Sequence, residues 1–212
     1  MTFSSAMLWE RVLAELPLIA ILRGIEPPDA VAVTEALSRA GFLCVEVPLN
    51  SPNALESISE IRERFDGQLL IGAGTVLTET EVAAIHDAGA QIAISPNTNP
   101  AVIAAAKRHA LISIPGFATP TEALAGIAAG ANALKLFPAE SISPAVVRSL
   151  KAVLPASLPI LPVGGITAAS MAAYIGAGAA GFGIRSSIYT PGTTADIVGR
   201  RAAMFVKAWV PR

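Results

Sequence analysis

The sequence predicts an α/β fold, a (β/α)8 TIM barrel with an extra N-terminal helix. Eight short apolar runs recur at intervals of roughly 20 to 27 residues, which is the spacing of a βα unit. Helical patterns lie between the runs, and 53% of the residues are hydrophobic but only 5% aromatic, as expected of buried parallel strands built from aliphatic side chains. A doubly wound open sheet is the alternative, but the segment after the first run, Arg23-Gly24-Ile25, lacks the glycine fingerprint of dinucleotide-binding folds.

The eight apolar runs are the predicted strands. In chain order they read PLIAILR (17–23), CVEVPL (44–49), LLIGAGT (69–75), IAISPN (92–97), ISIPGF (112–117), ALKLFP (133–138), ILPVGG (160–165) and GFGIRS (181–186). A proline cannot donate a hydrogen bond to a strand ladder, so Pro162 within the seventh run predicts that this strand is short or locally irregular.

The predicted helices fill the intervals between the runs. Clear helical patterns cover residues 29–41, 78–90 and 99–110, and a leading helix from about Ser5 to Leu16 is expected to close the bottom of the barrel. Asp29 and Thr78 are the expected N-cap residues, and Glu81 completes a capping box with Thr78.

Length and composition limit the class of protein. The 212 residues suit one barrel domain over residues 1–212, and a net charge of −1 without a basic block argues against nucleic acid as a partner. Glu10, Arg11 and Glu15 interrupt the N-terminal apolar stretch, and no window reaches the ~18 apolar residues of a membrane span, so neither a signal peptide nor a membrane partner is expected. The single cysteine, Cys44, excludes an internal disulfide and fits a cytoplasmic location.

A functional site is expected at the C-terminal ends of the barrel strands. Lys135 is the only lysine within a strand run, and Glu46 is the only one of the 16 acidic residues within one. A lysine attacks a carbonyl only as the neutral amine, which burial and a nearby cation such as Arg23 favour, and one carboxylate then shuttles the protons. The alternative is a buried Lys–Glu salt bridge without a catalytic role.

The second candidate site is the Gly164-Gly165 pair at the end of the seventh run. Backbone N–H groups of such a turn bind phosphate, and the ends of the last two strands are the usual phosphate site of these barrels. The alternative is that the glycines only make a turn. Arg185 in the eighth run either adds a charged donor or points to solvent.

His86 and His109 fall in predicted helices without a cluster of acids, so no metal and no cofactor are expected.

Seven motifs resemble the bacterial Entner–Doudoroff-type phosphogluconate and phosphogalactonate aldolases. In chain order they are PLIAILRG, VEVPLNSP, IGAGTV, SPN, PGFATPTEA, ALKLFPA and PVGGI, and the resemblance extends from about Pro17 to Trp209. It implies a metal-independent class I lyase that cleaves a phosphorylated sugar acid to pyruvate and D-glyceraldehyde 3-phosphate. It also implies a homotrimer.

The resemblance assigns roles to individual residues. Lys135 matches the Schiff-base lysine and Glu46 the general acid/base, whereas Arg23 and Thr75 match residues that hold the pyruvyl carboxylate. The remaining expected residues lie near the substrate or its phosphate: they are Pro96, Phe137 and Val163 for the substrate, and Gly164, Gly165, Arg185 and Ser186 for the phosphate.

Two features resemble the phosphogalactonate branch of this family. The segment PLNSP after Glu46 and the residue Val163 before the glycine pair are typical of that branch, whereas the phosphogluconate branch tends to have threonine at the latter position. A threonine hydroxyl can hydrogen-bond a substrate hydroxyl in one C4 configuration and valine cannot. Arg185 departs from the glycine expected in the phosphate loop.

Three other functions stay open at this point. The nearest is an aldolase for the gluconate epimer or for both epimers. A phosphosugar isomerase or epimerase is a second, although such sites need paired acids and the aspartates lie outside the strand runs. A phosphate-binding barrel without catalysis is the third.

Overall fold

The computed structural model describes residues 4–209. The helices are α1 (Ser5–Glu15), α2 (Pro27–Ala40), α3 (Ala54–Arg64), α4 (Glu79–Asp87), α5 (Pro100–Arg108), α6 (Pro120–Ala129), α7 (Pro144–Lys151), α8 (Ala168–Ala177) and α9 (Ala195–Ala208). The strands are β1 (Leu18–Ile21), β2 (Cys44–Pro48), β3 (Leu70–Gly74), β4 (Ile92–Ile94), β5 (Ile112–Ile114), β6 (Gly116–Phe117), β7 (Leu134–Leu136), β8 (Ile160–Pro162) and β9 (Phe182–Ile184). A short 3-10 turn, Ala139–Ser141, follows β7.

All strand pairings are parallel, and they form a curled sheet in two parts. One part has six strands in the order β5-β4-β3-β2-β1-β9, and the other has three in the order β6-β7-β8. Only Pro115 separates β5 from β6 along the chain, and a single parallel bridge joins Val163, after β8, to Gly183 of β9. The two parts therefore approach each other at both edges.

Every predicted run contains strand residues, and the fifth contains two short strands. Pro115 interrupts that run because its ring leaves no N–H for the ladder. β8 ends at Pro162 and is three residues long, the same length as β4, β5, β7 and β9. Its pairing with β9 is reduced to a single bridge directly after Pro162, which confirms a short and locally irregular strand.

The apolar interior has two layers. The larger one consists of side chains packed between the strands and the surrounding helices. The smaller one consists of side chains on the opposite, inner face of the strands. Leu8, Trp9 and Val12 of α1 belong to the smaller cluster, together with Ile19 and Cys44 of the strands. No helix within residues 4–209 is long and apolar enough to cross a membrane.

One predicted helix cap is confirmed and one is wrong. Thr78 Oγ1 accepts a hydrogen bond from the Glu81 N–H at 3.1 Å, and the Glu81 carboxylate accepts one from the Thr78 N–H at 2.9 Å. The predicted N-cap Asp29 instead lies in the first turn of α2, and Glu26 is the N-cap. The helix begins earlier because prolines at its first positions need no hydrogen-bond partner for an N–H.

Candidate active site

Strand alternation directs Lys135 and Glu46 to the inside of the curled sheet. The neighbours of Lys135 on β7 are Leu134 and Leu136, and both belong to the cluster between strands and helices. Successive side chains of a strand point to opposite faces, so Lys135 points inward. Val45 and Val47 flank Glu46 on β2 in the same way. Both ionisable groups are buried, with 6% of Lys135 and 1% of Glu46 exposed.

Lys135 and Glu46 line one small interior cavity of about 10 Å³. Its other walls are apolar and include Ile21 and Val163. The Phe137 ring lies against the amine, with Lys135 Nζ 4.8 Å from the ring centroid. The predicted pair is therefore brought together, in a setting where water is scarce.

The cavity shifts both groups towards their neutral forms. Burial lowers the pKa of Lys135; the Glu46 charge opposes this shift and the Arg23 charge adds to it. Burial raises the pKa of Glu46 to about 7, although Lys135, Arg23 and a backbone hydrogen bond from Gly74 act in the opposite direction. Near neutral pH the site thus favours a nucleophilic amine beside a carboxyl group that can give or take a proton.

Gly74 makes room for the Glu46 carboxylate. A Cβ atom at Gly74 would overlap with Glu46 Oε2, so no larger residue fits there with the carboxylate in this position. Within residues 4–209 that oxygen has no hydrogen-bond partner, which leaves it available to a substrate proton. Sequence reasoning did not identify Gly74, although the IGAG motif contains it.

Arg23 is held at the ends of the neighbouring strands. Its Nη2 donates to Thr75 Oγ1 at 3.1 Å, and its Nη1 donates to Asn50 Oδ1. Its Nε is buried without an acceptor in the described part of the chain. Thr75 has a φ of 59°, an unfavourable value for a β-branched residue and typical of strain held at functional sites. Asn50 was not singled out from the sequence.

The other three predicted substrate residues lie at different distances from the cavity. Val163 lines it, and Phe137 contacts the amine of Lys135. Pro96 is not one of the described residues that line the cavity. Its carbonyl instead packs so closely on β6 that a Cβ atom at Gly116 would overlap with it.

The Gly164-Gly165 turn presents a free N–H donor next to the cavity. Both residues have positive φ values, 108° and 64°, which glycine adopts without strain. Among residues 4–209, no acceptor receives the N–H of Gly165, whereas the N–H of Gly164 faces the Gly183 carbonyl across the parallel bridge from Val163 to Gly183. Val163, which lines the cavity, directly precedes the turn, so the turn lies at the rim of the Lys135 site.

The segment after β9 lies beside this turn. Ser187 Oγ donates to the Ile166 carbonyl at 2.8 Å, which ties the two segments together. Arg185 and Ser186 are exposed, and within the described residues the Arg185 side chain makes no hydrogen bond or ion pair. The four predicted phosphate residues, Gly164, Gly165, Arg185 and Ser186, therefore lie on two joined turns, where the Gly165 N–H and the Arg185 guanidinium are unmet donors within the described residues. We call the Gly164-Gly165 turn together with residues 185–187 the anion cradle.

Comparison with known proteins yields one family and several similar chains. The family model described as KDPG and KHG aldolase matches residues 9–191. A probable 2-dehydro-3-deoxy-6-phosphogalactonate aldolase of Rhizobium meliloti is 45% identical over 195 residues, covering 92% of each chain. The 2-dehydro-3-deoxy-6-phosphogalactonate aldolase of Escherichia coli is 43% identical over 203 residues, covering 96% of this chain and 98% of that protein. A solved structure described as native KDPGal superimposes with a TM-score of 0.90 at 44% identity, covering 92% of this chain and 94% of that one.

Proposed function

The chain belongs to the KDPG and KHG aldolases, and from this we propose that it cleaves 2-dehydro-3-deoxy-6-phosphogalactonate to pyruvate and D-glyceraldehyde 3-phosphate. The observation that carries the proposal is the buried Lys135 beside Glu46, because burial favours the neutral amine that carbonyl chemistry needs. Membership of an aldolase family argues against the isomerase reading and against a barrel that only binds phosphate.

The chemistry follows from the two buried groups. Lys135 adds to the C2 carbonyl of the substrate, and loss of water from the carbinolamine leaves an iminium ion. The iminium accepts the electron pair of the C3–C4 bond as that bond breaks, while the C4 hydroxyl loses its proton and becomes the aldehyde. Glu46 moves the protons, with a water molecule as relay where the distance requires one. Protonation of the enamine at C3 and hydrolysis of the imine then release pyruvate and restore the amine.

The two ends of the substrate have separate binding groups. The unmet Nε of Arg23, with Thr75 beside it, suits the carboxylate. The Gly164-Gly165 turn with the free N–H of Gly165, together with Arg185 and Ser186, suits the phosphate. Binding at both ends holds the C3–C4 bond next to Lys135, so that binding energy far from the reacting atoms contributes to the rate.

Val163 supports the galactonate epimer. It is 7% exposed and lines the cavity beside Lys135 and Glu46, where it offers no hydrogen-bond donor or acceptor to the C4 hydroxyl.

The second candidate function is an aldolase for the gluconate epimer or for both epimers. Comparing kcat/KM on the two phosphorylated acids decides between them, and we expect the galactonate epimer to be preferred.

The first experiment traps the imine. We expect incubation with pyruvate and borohydride to place a pyruvate-derived adduct on Lys135, located by peptide mass spectrometry. Lys135→Met is the control, because it removes the amine and retains the length of the side chain; it should fold and give no adduct. An adduct spread over Lys107, Lys151 and Lys207, or equal trapping in the control, would contradict the proposed mechanism.

We also propose a closed barrel, a single domain over residues 1–212, a homotrimer and a cytoplasmic location. The split at Pro115 and the bridge from Val163 to Gly183 support closure, since they link the two parts of the sheet at both edges. The lone buried Cys44 supports a reducing compartment. Chemical crosslinking and light scattering test the trimer.

A further inference from the structure

A carboxylate lies on the Gly164-Gly165 turn. Glu140 belongs to the 3-10 turn Ala139–Ser141, directly after the strand that carries Lys135. A Cβ atom at Gly164 would overlap with Glu140 Oε2, and one at Gly165 would lie 3.0 Å from Glu140 Cβ. Both glycines are therefore in close contact with Glu140, and the acidic group lies on the turn that carries the free N–H of Gly165.

The backbone that carries Glu140 is held firmly. The Ala139 N–H donates to the Val163 carbonyl at 2.9 Å, just before the glycine pair. The buried Tyr174 hydroxyl donates to the carbonyls of Ala139 and Ile142 at 3.0 and 2.8 Å. Movement of the whole turn would break these bonds, so the side chain is the part that can move.

No cation neutralises Glu140 where it lies. Its side chain is exposed and forms no hydrogen bond or ion pair with any residue between 4 and 209. Its charge nevertheless reaches Tyr174, whose pKa is raised by burial and, secondarily, by Glu140. An anion that enters the cradle meets this unpaired carboxylate on the Gly164-Gly165 turn, and like charges at such short range repel each other.

We propose that Glu140 is a specificity-determining residue that occupies the rim of the anion cradle and excludes free inorganic anions from it. This inference rests on the proposed function, which places the substrate phosphate in the cradle. A free phosphate has no other anchor and must overcome the repulsion alone. The substrate is also held at Lys135 and Arg23, so its phosphate has a high effective concentration at the cradle and displaces the Glu140 side chain. Glu140 thus favours ligands that fill both ends of the site.

The test is Glu140→Gln, which removes the charge and keeps the size of the side chain. We expect calorimetry to show that the variant binds inorganic phosphate about 5- to 10-fold more tightly than the unmodified chain. Affinity for pyruvate, which has no phosphate, should change less than the affinity for phosphate. Glu60→Gln, an exposed carboxylate on α3, is the matched control and should leave phosphate binding unchanged.

Three outcomes overturn the proposal: equal or weaker phosphate binding by Glu140→Gln, no phosphate binding by either protein, or the same tightening in Glu60→Gln. Failure here is distinguishable from failure of the proposed aldolase, because the borohydride adduct on Lys135 needs no phosphate. If the adduct forms and Glu140→Gln binds phosphate no more tightly, only the role of Glu140 is wrong. If the adduct does not form, the aldolase itself is wrong.

Discussion

At the scale of single residues, Lys135 and Glu46 share a cavity whose other walls are apolar. In water, an amine with an ordinary pKa is almost entirely protonated at neutral pH and cannot attack a carbonyl. Here burial destabilises both charged forms, and the pKa of the amine falls while that of the carboxyl rises. The same environment therefore prepares the nucleophile and supplies a proton donor and acceptor close to physiological pH.

Proton exchange into the methyl group of pyruvate tests the role of Glu46. The base is the Glu46 carboxylate, which is protonated below its pKa of about 7, so exchange should fall as the pH drops through that value. Ionised Lys135 also cannot form the imine, which adds to the decline in the same direction. Glu46→Gln should lower the exchange rate by about 10²- to 10⁴-fold, measured by NMR in D2O. Borohydride trapping should still succeed in that variant.

Glu63→Gln, on the exposed face of α3, controls for the loss of a carboxylate and should exchange normally. An exchange rate in Glu46→Gln close to that of the unmodified chain would mean that another group or bulk water moves the proton. In that case Glu46 would serve only to hold Lys135 in place.

At the scale of elements, the site residues lie on or just after short strands, and the surrounding helices pack against those strands. Helix α8, which begins shortly after the glycine pair, contains two glycines whose replacement should have opposite effects on stability. Gly176 lies inside this helix, and an added Cβ would have no atom within 4 Å. Gly178 is the C-cap, has a φ of 106°, and an added Cβ would lie 3.2 Å from Lys151 Cγ.

The same substitution at these two positions should change stability in opposite directions. Gly176→Ala should stabilise the protein by about 0.4–1 kcal/mol, because alanine restricts the unfolded chain and fits the helix without strain. Gly178→Ala should destabilise it by more than that, because alanine disfavours a positive φ. In a protein of this size about 1 kcal/mol shifts the melting temperature by roughly 2–4 °C, so calorimetry can resolve both. A lower melting temperature for Gly176→Ala would contradict the prediction.

At the scale of the whole molecule, the curled sheet brings together groups that are far apart in the chain and buries them at a cost. The site unites residues from β2 and β7 with Arg23 after β1 and the turn after β8. Burial deprives both polar groups of hydration, and among residues 4–209 no hydrogen bond replaces it at Glu46 Oε2. The buried pair is therefore expected to lower the free energy of unfolding.

Removing the pair should make the fold more stable. The double variant Glu46→Leu/Lys135→Met, which replaces both polar groups by apolar side chains, should gain about 1–4 kcal/mol in urea unfolding at neutral pH and lose all activity. Arg39 and Glu35, an exposed pair at 2.8 Å, provide the control: Arg39→Met/Glu35→Gln should change stability by no more than about 1 kcal/mol. Protein concentration must be held constant, because association also affects stability. A less stable catalytic double variant would show that the pair makes a net contribution to folding.

The sequence by itself determined which two ionisable residues, Lys135 and Glu46, meet inside the sheet. A lysine and a glutamate between aliphatic neighbours on strands can only point to the inner face, and the glycine pair before a helix is visible in the letters alone. These signals are readable because they extend over a few consecutive residues. Thr78 and Glu81 form the predicted capping box for the same reason, whereas Asp29 was misplaced because the prolines before it already start the helix.

Only the tertiary structure decided which residues from other segments contact these groups. Three contacts join segments that are distant in sequence. They are the close approach of Glu46 to Gly74, the hydrogen bond from Arg23 to Asn50 and the contact of Glu140 with Gly164. Such contacts depend on strand order and register, in which Glu46 pairs with Ile21 on one side and Gly72 on the other. Local periodicity carries no information about these neighbours, because it specifies the face of a strand and not what lies across from it.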